Sequence, residues 1–161
     1  MEKIGEFTTE RTFDAPLSLV WKVWTNPELL KKWWGPENVS IPECEVDLKV
    51  GGKFYIVMEA DKAMGPYAGT QWPMMATFTI VEPESHLSYT AQAWTEGAQK
   101  DDTMLDQTTD IAFREEDGKT TVKIVAIIHK AGPAAGGAVQ GMNQGFNQQL
   151  GKLDKFLATQ Q

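Results

Sequence analysis

Apolar side chains recur along this chain with two different periods, and the change from one to the other lays out its elements. Residues 6–14 read as a strand that ends at Asp14-Ala15-Pro16, where Asp14 can cap and Pro16 can open a helix, since a first-turn residue loses nothing by lacking an N–H. Leu17, Val20, Trp21 and Trp24 follow at helical spacing. Asn26-Pro27 breaks that helix and starts a second one carrying Leu29, Leu30, Trp33 and Trp34, which Gly35-Pro36 stops. From residue 42 the period becomes two, as in half-buried strands: Cys44, Val46 and Leu48, then a turn at Gly51-Gly52, then Phe54, Ile56 and Met58. A connection through Gly65-Pro66 and Gly69 leads to Ala76, Phe78 and Ile80, and Glu82-Pro83-Glu84 turns the chain into Leu87, Tyr89 and Ala91. The last hairpin joins Thr109, Ile111 and Phe113 to Val122, Ile124, Ala126 and Ile128 through Glu116-Asp117-Gly118-Lys119, because Asp-Gly suits the positive φ of a tight turn. Val139, Met142, Phe146, Leu150, Leu153 and Leu157 then form one apolar stripe of a long helix.

A stripe of that length needs a partner, and a curved sheet with one uncovered apolar face is the available one. The expectation is an α+β domain, residues 1–161, in which a curved antiparallel sheet of six to seven strands wraps a long C-terminal helix, with two short helices after the first strand. With 161 residues such a domain buries about 70% of its unfolded surface. Composition adds exclusions. A net charge of −7 disfavours nucleic acid, whose phosphates require an excess of Lys and Arg. The longest apolar run, Ile124–Ile128, is too short to span a membrane, and Met1–Thr9 carries no signal-like apolar run, so a cytoplasmic setting is expected. The lone Cys44 forms no internal disulfide and reads as a buried, inert thiol.

Several short motifs recur in an order that is specific to one family. They are Phe13-Asp14-Ala15-Pro16, Val20-Trp21 with Trp24-Thr25-Asn26-Pro27-Glu28, Lys32-Trp33-Trp34-Gly35-Pro36 and Asp47-Leu48-Lys49-Val50-Gly51-Gly52. Gly65-Pro66, Trp72-Pro73, Glu82-Pro83, Leu87, Gly141-Met142 and Gly145-Phe146 follow, then Leu150 and Leu153. Over residues 8–158 the chain resembles the family homologous to the C-terminal domain of the activator of the ninety-kilodalton heat-shock protein ATPase, within the START-like superfamily. That resemblance implies a helix-grip fold with a cavity between sheet and long helix. It also implies a range of functions, from lipid and hormone binders to cyclases, dehydratases and co-chaperone domains, and fold alone does not choose among them. Two departures stand out. Ile80 replaces an acid usual in the family's central strand, and Ser85-His86 replaces a glutamate and arginine that commonly form an ion pair.

Six tryptophans and seven methionines suit an adaptable apolar surface. Trp34, Phe54, Met58, Trp72, Met74, Phe78, Ile80, Tyr89, Met142 and Phe146 are the candidate lining of a site for a small apolar or aromatic molecule, with Trp94 and Met104 also expected to face inward. His129, at the end of the last strand, is the candidate general base for the alternative, a cyclase, dehydratase or hydrolase that would use it with Tyr89 or a carboxylate. A co-chaperone partner of the heat-shock ATPase, and a second copy of the chain, are further alternatives. His86 and His129 have no ligand-like spacing to Cys44 or to a carboxylate, Asp101, Asp102 and Asp106 read as a solvated loop, and the glycines of 132–141 read as a hinge without the lysine of a phosphate loop. No metal or cofactor is implied.

Overall fold

A computed structural model describes residues 5–34, 38–93, 105–131 and 136–160, without the side chains at 64, 67, 93, 105, 130, 131 and 136–146. Trp94, Met104, Asp101 and Asp102 therefore lie outside the described residues, and so do the side chains of Met142 and Phe146.

Seven strands form one antiparallel sheet: β1 (Gly5–Phe13), β2 (Val39–Val46), β3 (Lys53–Ala60), β4 (Gln71–Glu82), β5 (His86–Ala93), β6 (Leu105–Glu116) and β7 (Lys119–Ala131). Their spatial order is β1-β7-β6-β5-β4-β3-β2, a meander closed at one edge by the first strand pairing with the last. Helices α1 (Leu17–Thr25) and α2 (Pro27–Trp33) cross from β1 to β2, a short 3-10 turn spans Lys62–Tyr67, and α3 (Gly136–Thr159) follows β7. The sheet curls around its inner face, onto which α3 packs through Leu150, Leu153 and Leu157. This is the helix-grip arrangement.

Local chemistry sets the boundaries. Asn26 ends α1 and caps α2, its Oδ1 accepting from the Glu28 and Leu29 N–H groups at 2.9 and 3.4 Å with Pro27 in the first turn. The start of α1 differs from expectation: Pro16 holds the cap position, and the Leu17 N–H donates to Glu115 Oε2 of β6 at 2.8 Å. A tertiary carboxylate thus does what Asp14 was expected to do. Asp117 and Gly118 have φ of 53° and 77°, so the β6–β7 turn is the tight mirror-image type its sequence called for. At Gly52 a Cβ would sit 2.0 Å from the Asp47 carbonyl oxygen, which fixes glycine at the base of the β2–β3 turn.

Two bulges break the alternation. One lies between Phe78 and Ile80 of β4 and leaves Thr79 unpaired; the other lies where Asp106 and Gln107 pair with Lys130 and Ile128, leaving His129 as the extra residue. Each resets which side chains face inward beyond it.

One end of the inner face is filled by aromatic rings. Trp24 meets Phe13, Trp33 and Phe113 edge-on, with centroids 6.5, 4.7 and 5.8 Å apart. Trp33 leans on Trp34, Trp34 on Phe54, and Phe54 stacks on Phe78 and meets Tyr89 edge-on. The C-terminal half of α3 is moored beside this cluster by Arg11–Asp154 and by the Lys152 ammonium, which donates to the Trp34 carbonyl at 3.2 Å.

Candidate functional site

Residues paired across antiparallel strands share a face, so the register fixes which side chains point inward. Met58 pairs with Trp72, Ile56 with Met74, Phe54 with Ala76, Ala76 with Ala91, Ala91 with Gln107 and Gln107 with Ile128. All of these face α3. Most are closed off: Ile56, Ala76, Ala91 and Ile128 are at most 2% exposed. Met58, Trp72 and Gln107 remain half-buried, at the end of the sheet where β7 leads into α3. They bracket buried Met74, and the floor between them is low because Ala76 and Ala91 project little beyond the backbone.

Of the expected lining, Met58, Trp72 and Met74 belong to this open end. Trp34, Phe54, Phe78 and Tyr89 are brought together as well, but as a closed aromatic wall behind it. Ile80 is placed elsewhere. The bulge at Thr79 pairs Ile80 with Ser88 on the outer face and turns Val81, paired with Leu87, into the core. The expectation that Ile80 lines the interior is thus corrected: its side chain belongs to the outer surface. Ile80→Glu is accordingly expected to cost less than about 1 kcal/mol and to leave any ligand affinity unchanged, as read by chemical denaturation and titration.

His129 is also on the outer side. Its Nε2 lies 2.8 Å from Thr108 Oγ1, and Thr108 pairs with Ile127, one residue out of phase with the inward Ile128. The expectation of a general base at the cavity mouth is corrected accordingly, because an outward imidazole cannot reach a molecule held under α3.

At this end of the inner face, polar groups form one short line. Gln107 Nε2 donates to Thr109 Oγ1 at 3.4 Å, and the Thr109 hydroxyl bonds the phenol of Tyr89. Burial pushes the Tyr89 phenol well above its ordinary range, so it stays a neutral hydroxyl. Gln107 and Thr109 were absent from the expected site, although stepping back by two from inward Ile111 along β6 reaches both.

Outside the sheet, Ser88, His86 and Asp110 form a cluster with the composition of a catalytic triad. His86 Nε2 lies 2.5 Å from Asp110 Oδ1, His86 Nδ1 lies 3.6 Å from Glu82, and the Ser88 hydroxyl also donates to Asp110. The arrangement does not suit nucleophile activation: Ser88 Oγ lies 3.4 Å from His86 Nε2, but that nitrogen is taken up by the closer Asp110 carboxylate, to which the hydroxyl itself donates. The cluster forms a clasp between β5 and β6. A shallow cleft of about 460 Å³ lies over it, lined also by Ser85 and Lys123.

Cys44 is buried and its thiol is pushed up to about 11, chiefly by loss of solvent and partly offset by Lys31. The unfolded chain ionises this thiol near 9.0 while the folded chain keeps its proton. Its contribution is therefore intact below pH 9.0 and is lost as pH rises towards about 11. Denaturation midpoints should fall across that window in wild type and fall less in Cys44→Ala. Among the described residues no group of three His, Cys, Asp or Glu side chains is placed to hold a metal ion, and no helix is long and apolar enough to cross a membrane.

A curled seven-stranded sheet gripping a C-terminal helix defines a helix-grip domain. The chain belongs to the family described as Activator of Hsp90 ATPase homolog 1-like protein, matching it over residues 14–158. A crystal structure from Nitrosomonas europaea is similar at 26% identity and a TM-score of 0.77, covering 99% of this chain and 98% of that one. A solution structure from Arthrobacter aurescens shares 24% identity, with a TM-score of 0.78 and coverage of 96% and 86%. The AHSA1 protein of Silicibacter pomeroyi shares 18%, with a TM-score of 0.74 and coverage of 98% and 100%. The last two likenesses speak to fold alone. No curated protein matches the chain at a significant level.

Proposed function

We propose that this domain binds a small apolar or aromatic molecule between the inner face of the sheet and the N-terminal half of α3, acting in the cytoplasm. The observation that carries the reading is the partial exposure of Met58, Trp72 and Gln107, inward-facing residues grouped at one end of the sheet. An apolar residue left half-open under a helix gains by covering, at about 25 cal/mol per Å² of apolar surface. Methionine and tryptophan supply a deformable, polarizable wall for that purpose. The free Cys44 suits a reducing compartment.

The enzymatic alternative has less support, because its base His129 lies on the other side of the sheet and the Ser88–His86–Asp110 cluster is ordered for holding strands together. Thermal-shift screening against a panel of uncharged apolar compounds tests the proposal. A ligand present at a hundred times its dissociation constant adds about 2.7 kcal/mol, a rise of about 5–10 °C for a chain of this size. A panel in which no compound raises the melting temperature would remove the reading.

A further inference from the structure

The inner face is not uniformly apolar, and its polar line says something about what the site holds. Gln107 sits between inward Ala91 and Ile128, both closed to solvent, yet is itself half-buried. Its amide makes a single long hydrogen bond to Thr109, so its carbonyl oxygen and second N–H take no partner among the described residues. Thr109 in turn is committed to Tyr89. The free ends of the amide are not buried without a partner, so they stay open at this end of the sheet, where an entering molecule can meet them. Charge is also distributed unevenly. The charged side chains at inward strand positions among the described residues are Arg11, paired with Asp154, and Glu115, which caps α1. Glu115 is eight residues from Gln107 along β6, about 27 Å in an extended strand.

Resting on the binding function proposed above, we propose that Gln107 is the polar anchor of the site, and that the ligand is a compact apolar molecule bearing one neutral hydrogen-bonding oxygen, a carbonyl or hydroxyl. The Gln107 amide offers an N–H to a carbonyl and its own oxygen to a hydroxyl, so one residue serves both chemistries. A carboxylate or an ammonium would lose its hydration with no opposite charge at that end to replace it.

Equilibrium dialysis of three probes that share one ring system separates the possibilities: 2-acetylnaphthalene, its deoxygenated analogue 2-ethylnaphthalene and 2-naphthoate. Wild type should bind the ketone about fivefold or more tighter than the ethyl compound, the worth of one net hydrogen bond, and bind the carboxylate weakest. Gln107→Leu should bind both neutral probes equally while melting no lower than wild type, since leucine suits a half-open apolar floor. A ketone preference that survives Gln107→Leu, or a variant that melts well below wild type, would overturn the anchor role. Equal binding of ketone and ethyl probe by wild type overturns the anchor and leaves the apolar site standing; binding of no probe at all counts against both.

Discussion

Trp33→Ala is expected to lower the stability of the domain by about 4 kcal/mol, the middle of the range for removing a buried aromatic side chain. Trp33 is fully buried, with Trp24 and Trp34 on either side, and its loss opens the aromatic wall at its centre. It also satisfies a backbone group that sequence leaves without a partner. The carbonyl of Val23 would accept from residue 27 in a continuing helix, but residue 27 is proline and has no N–H, so Trp33 Nε1 donates to that carbonyl at 2.9 Å. The proline that starts α2 thus creates the need that the last residue of α2 meets. Trp33→Phe keeps most of the ring volume and loses the donor, so it should cost about 1–3 kcal/mol. Urea denaturation of both variants checks the partition, and a Trp33→Phe loss near zero would show that the hydrogen bond contributes nothing.

Trp72→Ala should have the largest effect on binding, at least a thirtyfold loss of affinity for an apolar probe identified by thermal shift. That is about 2 kcal/mol, the usual threshold for an aromatic anchor residue. Its effect on folding should be smaller than that of Trp33→Ala, because the ring is only half-buried and lies beyond the aromatic wall. Comparing the two variants by titration and denaturation separates the roles: stability should fall most in Trp33→Ala and affinity most in Trp72→Ala. Affinity unchanged in Trp72→Ala would move the site away from the β3–β4 end.

Much of the fold is legible in the sequence because its signals are local. Alternation marks the strands, Asn26-Pro27 marks the break between α1 and α2, and Asp117-Gly118 marks the hairpin. What escapes is whatever depends on a partner strand. Nothing in Ala76-Thr77-Phe78-Thr79-Ile80 announces a bulge, so alternation carries Ile80 inward when pairing with Ser88 carries it outward. The capping of α1 by Glu115 comes from a residue about a hundred positions away, which no local rule could supply. His129 is a different case. Its neighbours Ala126 and Ile128 already face inward, so alternation places it outward, and only its position near the helix suggested otherwise. The same alternation applied backwards from Ile111 reaches Thr109 and Gln107, the polar line that a search for apolar residues passes over.

The central claim, a small molecule held on the inner face beside Met58 and Met74, is tested most directly by NMR of the protein labelled at its methionine methyl groups. Titration with 2-acetylnaphthalene should shift the Met58 and Met74 signals and leave Met75, whose side chain is on the outer face, where it was. A shift confined to Met75, or no shift in Met58 and Met74 at saturating probe, would contradict it.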